Sequence, residues 1–229
     1  MVAALTTAGG AIGLLTGAVL LRLTLAGTYR WYVRDGMGPW LVVAAIVVIA
    51  LAIATLALSR THVPDAHGHE RGDRAGWLLL APIAALLLVA PPTLGSFGVG
   101  RGAVVDVRAG APVFRPLPSD AGPTPMTLLE YGQRAFEHDG ASFAGASVRL
   151  TGFVAGGAPG GFRLARYQIS CCAADAAPVV IHVEGVVGDP PSRDAWVTVT
   201  GTFHPPAGGE PVLAATSVEL ISTPEDPYE

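Results

Sequence analysis

The sequence predicts a three-helix transmembrane region followed by a small all-β domain, an OB-like barrel with one preceding helix. Three observations predict it. Long uncharged runs fill the N-terminal half: twenty-four residues separate Asp35 from Arg60, and twenty-six separate Arg74 from Arg101. Period-two alternation of apolar and polar residues recurs in the C-terminal half. The two halves also differ in charge. Residues 1–100 carry six Arg against Asp35, Asp65, Glu70 and Asp73, whereas residues 101–229 carry eight Arg against fourteen acids.

A hydrocarbon core takes roughly 20 helical residues, so the two uncharged runs read as spanning helices at about 40–58 and 77–94. A first helix at about 5–27 is Gly-rich and interrupted by Arg22, which lies within two turns of Tyr29 and can snorkel to that interface. It lacks a basic start and two further spans follow it, so it reads as a retained helix rather than a cleaved signal peptide. Gly9, Gly13 and Gly17 recur at spacing four, a pattern that lets a partner helix approach closely. Tyr29, Trp31, Tyr32 and Trp40 crowd the first loop, and Trp77 opens the third helix, where amphipathic rings settle at headgroup level. Arg60, Arg71 and Arg74 in the second loop outnumber Arg30 and Arg34 in the first. That count places the second loop inside and the β domain outside a cell membrane crossed several times, although Arg101, Arg108 and Arg115 pull the other way.

The chain thus divides into a transmembrane region, 1–98, a Pro-rich connector, 99–124, and a β domain, 125–229. Pro125–Asp139 reads as an amphipathic helix stopped by Gly140. Five strands follow: Ser147–Val154, Gly161–Cys171, Pro178–Glu184, Ala195–Phe203 and Val212–Ile221. Val148, Leu150, Val197, Val199, Val218 and Leu220 form their internal face. Five short strands in so short a stretch suit an OB-like Greek key.

Several functions are excluded. The acidic C-terminal half lacks the basic stripe that nucleic-acid binding needs. No Walker motif, HExxH or nucleophile elbow occurs, and Gly156–Gly161 joins two strands without opening a helix, so it reads as a hairpin turn. The chain is expected to be no enzyme. Two constellations carry metal chemistry. His62, His67 and His69, with Asp65, Glu70 and Asp73, lie in the second loop, where they form either a cation-capturing segment or a solvated polar loop. Cys171 and Cys172 are adjacent and are the only cysteines. Three readings stay open for them: a strained vicinal disulfide, metal ligation with Asp175, His182 or His204, or, for Cys171, a buried small hydrophobe on the face of Tyr167 and Ile169. Adjacent strand residues face opposite ways, so both sulfurs reach one metal only if a turn begins there.

The segments YQISCCAADAAPVVIHVEG (167–185), WVTVTGTF (196–203), TPEDPY (223–228) and PPTLGS (91–96) together resemble the YcgQ-like permease-subunit family. The resemblance implies a membrane part with a His-rich loop between its second and third helices, a C-terminal β domain, and pairing with a larger multi-spanning YcgR-like permease. It implies that Cys171, Cys172, Ala174 and Asp175 occupy the family's signature turn, and that His62, His67 and His69 stand in its His-rich loop. The first Cys is His in some relatives, an exchange that suits a metal ligand and not a disulfide. The expectation is therefore a non-catalytic subunit of a two-component permease in the lipid bilayer, whose β domain captures or gates a solute such as zinc. The competing expectations are a stand-alone membrane-anchored metal-binding chaperone and a membrane-tethered thiol redox protein.

Overall fold

The computed structural model describes residues 2–59 and 93–229, apart from positions 103, 111, 120–121, 187 and 206–208, with side chains described from Gly9 onward. The chain forms two compact units, Met1–Pro92 and Thr93–Glu229.

In the first unit, helix α1 (Val2–Leu25) and helix α2 (Gly38–Ser59) are joined through single turns at Thr28–Trp31 and Asp35–Met37. Ala and Leu favour helix, and in hydrocarbon the Val and Ile runs must take it as well, because each backbone group has to find its partner within the segment. Among the described residues, one helix is long and apolar enough to cross a membrane, Asp35–Leu58, with a mean hydropathy of 3.1. Trp40, Leu51 and Ile53 on it are 71 %, 63 % and 54 % exposed, an outward apolar surface that water would not favour. The predicted third helix, 77–94, lies outside the described residues except for Thr93 and Leu94, which have no regular structure.

Small residues set the approach of α1 to α2. An added Cβ at Gly10 would lie 2.5 Å from Leu56 Cγ, at Gly13 3.0 Å from Ala52 Cβ, and at Gly17 2.5 Å from Ile49 Cγ1 and 3.2 Å from the Ala45 carbonyl oxygen. Ala45 and Ala52 are correspondingly buried. The packed set is Gly10, Gly13 and Gly17 rather than the expected Gly9, Gly13 and Gly17, because Gly9 faces open space. The stripe serves a contact within the chain. Gly17→Val should therefore lower the thermal midpoint of the detergent-solubilised protein through overpacking worth about 1–3 kcal/mol, while Gly9→Val should leave it unchanged. Equal effects at both positions would contradict this packing.

The second unit is a mixed sheet with preceding helical turns. Helix α3 (Leu128–Phe136) starts at Thr127, whose hydroxyl accepts the Glu130 N–H at 3.0 Å, half of a capping box. It ends earlier than predicted because Glu137 is extended and His138, Asp139 and Gly140 all take positive φ. A side chain at Gly140 would collide with the Phe203 ring, so glycine is required there.

Six strands form the sheet: β1 (Thr124–Pro125), β2 (Ser147–Ala158), β3 (Gly161–Gln168), β4 (Ala177–Glu184), β5 (Trp196–His204) and β6 (Val212–Ile221). Their order is β1-β2-β3-β4-β6-β5, and β2 also pairs with β5. Pairing therefore runs from β2 through β3, β4, β6 and β5 back to β2. β4–β6 is parallel and the other links of that circuit are antiparallel. The alternation read from the sequence holds inside it: Val148, Leu150, Phe162, Leu164, Val179, Ile181, Val183, Val197 and Val199 are fully buried together with Leu128 and Tyr131 of α3. Leu220, expected in this core, pairs with Val197 yet is 69 % exposed, so among the described residues no further layer covers that end of β6. A second apolar cluster gathers Phe153, Tyr167, Ile169, Trp196 and Tyr228.

Candidate metal centre

The second predicted strand stops at Gln168, three residues short of Cys171, and that early stop builds the site. Past Gln168 the chain is pinned by the closing segment: Ile169 N–H donates to the Glu229 carbonyl, and Glu229 N–H donates to that of Tyr167. The Glu229 carboxylate accepts from Leu128 and Leu129 N–H at 2.9 and 3.3 Å and from Gln168 Nε2 at 3.0 Å. It thus caps α3 while holding the end of β3. Burial pushes this carboxyl above the usual range, against the opposing pull of those donors and of Arg166.

The chain then turns back to β4 through Ser170–Ala176. Asp175 organises the turn. Its Oδ1 accepts Ser170 N–H at 2.9 Å, its Oδ2 accepts Cys171 N–H at 2.8 Å, and its own N–H donates to the Cys172 carbonyl at 3.0 Å. Aspartate favours such local bonds to nearby backbone. With the strand ended, the two cysteines no longer alternate across a sheet, and their sulfurs lie 3.6 Å apart. Cys171 is exposed and Cys172 half-buried, both as free thiols. This corrects the reading of Cys171 as a buried hydrophobe continuing the face of Tyr167 and Ile169: those two are buried, and the face ends with them.

One ligand atom each from Cys171, Cys172 and Asp175 lies within 4.8 Å of the others, and this is the group that comes together among the described residues. Two sulfurs bound at ~2.3 Å to a tetrahedral ion stand about 3.8 Å apart, close to the observed 3.6 Å. A disulfide would need about 2.05 Å. The hydrogen bond to Asp175, then the one to Cys172, holds the Cys171 thiol up at about 11. The same bond from Cys171, reinforced by the Ser170 and Cys171 N–H groups, holds the Asp175 carboxyl below the usual range. The site thus pairs a ready carboxylate with a thiol that keeps its proton until a stronger Lewis acid displaces it.

The imidazoles do not join it. β3–β4 register places Gln168 opposite Ala177 beside the cysteines, and Arg163 opposite His182 toward the other end. His182 lies five positions along β4 from Ala177, roughly 16 Å of strand. His204, at the far end of β5, lies 3.7 Å from Glu184 instead. His62, His67 and His69 lie outside the described residues. The backbone donors that fix Asp175 were not foreseen; the spacing of an Asp four and five residues after the groups it caps was the signal for them.

A DUF1980 C-terminal domain is found at residues 133–229. This is the YcgQ-like domain family, and the match spans the whole thiol turn, β2–β6 and the closing segment. No curated protein matches the chain.

Proposed function

We propose that this DUF1980-domain chain is a non-catalytic subunit of a two-component membrane permease. In this reading three helices cross a cell membrane more than once, beside a larger multi-spanning YcgR-like partner. The C-terminal domain is an OB-like barrel on the extracytoplasmic side that captures or gates a thiophilic divalent cation such as zinc. The closed pairing circuit with its one parallel link, β4–β6, supports the barrel. The observation that carries the function is the convergence of the Cys171, Cys172 and Asp175 ligand atoms on one exposed turn. Three protein donors leave a coordination position open, which a site that hands its ion onward requires.

The redox alternative is less well supported. A reactive cysteine needs a lowered thiol pKa in a positive environment, whereas Asp175 raises that of Cys171.

Zinc titration of the detergent-solubilised full chain by calorimetry tests the reading. About one ion per chain should bind at pH 7.5. Because Cys171 must lose a proton held at about 11, affinity should fall as pH drops, by at least about tenfold at pH 5.5. Uptake that is absent, or indifferent to pH, would remove the metal role. Recovery of the zinc-binding chain from mild detergent without a permease partner would favour a stand-alone chaperone.

A further inference from the structure

Away from the thiol turn, the C-terminal unit carries a groove of about 1000 Å³ lined by Arg101, Arg108, Arg163 and Arg193 against two acids, Asp106 and Glu210. Residues 101–229 hold eight arginines and fourteen acids, so half of their positive charge converges on one concavity of an acidic domain. Three separate segments deliver it. Arg101 and Arg108 come from the connector, Arg163 from β3, and Arg193 from the loop between β4 and β5.

The guanidinium groups are positioned rather than merely near. Arg101 stacks at 4.0 Å from the Phe97 ring centroid and donates to the Phe97 carbonyl. Arg108 stacks at 4.2 Å from that of Phe136. Stacking holds the guanidinium plane while leaving its edge N–H groups to donate. Arg163 meets Glu210 at 3.2 Å with both side chains exposed, a weak pairing that an arriving anion can compete with. Arg193 has no ion pair or side-chain hydrogen bond among the described residues. Its seat is prepared by the β2 bulge, where register shifts between Val154 and Gly156. There Gly156 takes φ +152, and a Cβ would lie 3.1 Å from Arg193 Nη2. Bulges of this kind commonly re-aim groups beside binding sites.

We infer that this groove binds a small phosphate-bearing anion. Several guanidinium forks converging on one space match the oxygens of a phosphate, and the groove has the volume of a small-molecule site rather than of a single ion. The inference is independent of the metal reading, since no cysteine lines the groove.

Calorimetry on the full chain in a neutral detergent, with inorganic pyrophosphate and separately with dihexanoyl phosphatidylglycerol, tests it and distinguishes the sources. Uptake of pyrophosphate identifies a soluble phosphate ligand, and uptake of the lipid alone identifies a headgroup; either supports the site. In both cases Arg193→Gln should weaken binding by roughly tenfold, the loss of one charge-assisted donor. Arg149→Gln, at an exposed arginine of β2 outside the groove, should leave binding unchanged. No uptake of either probe, affinity unmoved by Arg193→Gln, or equal loss with Arg149→Gln would overturn the inference.

Discussion

Cys172→Ser is expected to weaken zinc binding by the full chain by more than about a hundredfold, and Cys171→Ser to do the same. Groups that only orient a metal ligand are worth roughly 10–100-fold in affinity, and a thiolate ligand should exceed that. With two sulfurs 3.6 Å apart and one carboxylate beside them, removing either sulfur leaves one thiolate and one carboxylate, which hold the ion far less tightly. Ile169→Val, two residues before Cys171 in the buried cluster, should leave affinity unchanged, because its side chain carries no donor. His182→Ala and His204→Ala should also be silent, since register carries both away from the turn. Calorimetry on the five variants decides among these outcomes. Loss on replacing a histidine, with retention on replacing a cysteine, would contradict the site.

The largest expected loss of stability is at Phe143. It is 1 % exposed, stacks on Phe203 at 4.8 Å between centroids and meets Tyr131 at 5.0 Å. Tyr131 in turn donates its hydroxyl to the Val212 carbonyl at 2.5 Å, so this aromatic group ties the turn after α3 to β5 and β6. Phe143→Ala should cost about 3–5 kcal/mol, transfer of the ring plus the cavity it leaves. Leu220→Ala, at a residue 69 % exposed, should stay within about 0.5 kcal/mol. Urea midpoints of the two variants, followed by the near-ultraviolet signal of the C-terminal unit, check the contrast. A large loss at Leu220 would restore the inward placement that its alternation alone predicts.

That contrast shows what was legible in the residues. Alternation in β2 and β5 fixed which side chains face inward, because Val148, Leu150, Val197 and Val199 repeat at the strand period and all are fully buried. Alternation says nothing about where a strand stops. The segment after Gln168 continues an apolar rhythm through Ile169 toward Cys171, and only the bonds from Glu229, sixty residues on, and from Asp175 show that the sheet has ended. The sequence named the cysteines, Asp175, His182 and His204 together, and only the turn and the strand register show that the first three converge and the imidazoles do not. In α1, spacing four selected Gly9, whereas contact with α2 uses Gly10, because a straight helix advances 3.6 residues per turn and alternates spacings of three and four. The arginine groove was least legible: Arg101, Arg108, Arg163 and Arg193 have no pattern along the chain and meet only through the fold.

The proposed function rests on one exposed turn supplying two thiolates and a carboxylate to a single ion. X-ray absorption at the zinc edge of the loaded full-length protein tests it most directly. Two sulfur scatterers at ~2.3 Å are expected together with oxygen at ~2.0–2.2 Å, and one sulfur fewer for either Cys→Ser variant at saturating zinc. A coordination shell of nitrogen and oxygen without sulfur, carrying the outer-ring scattering of imidazole, would contradict it.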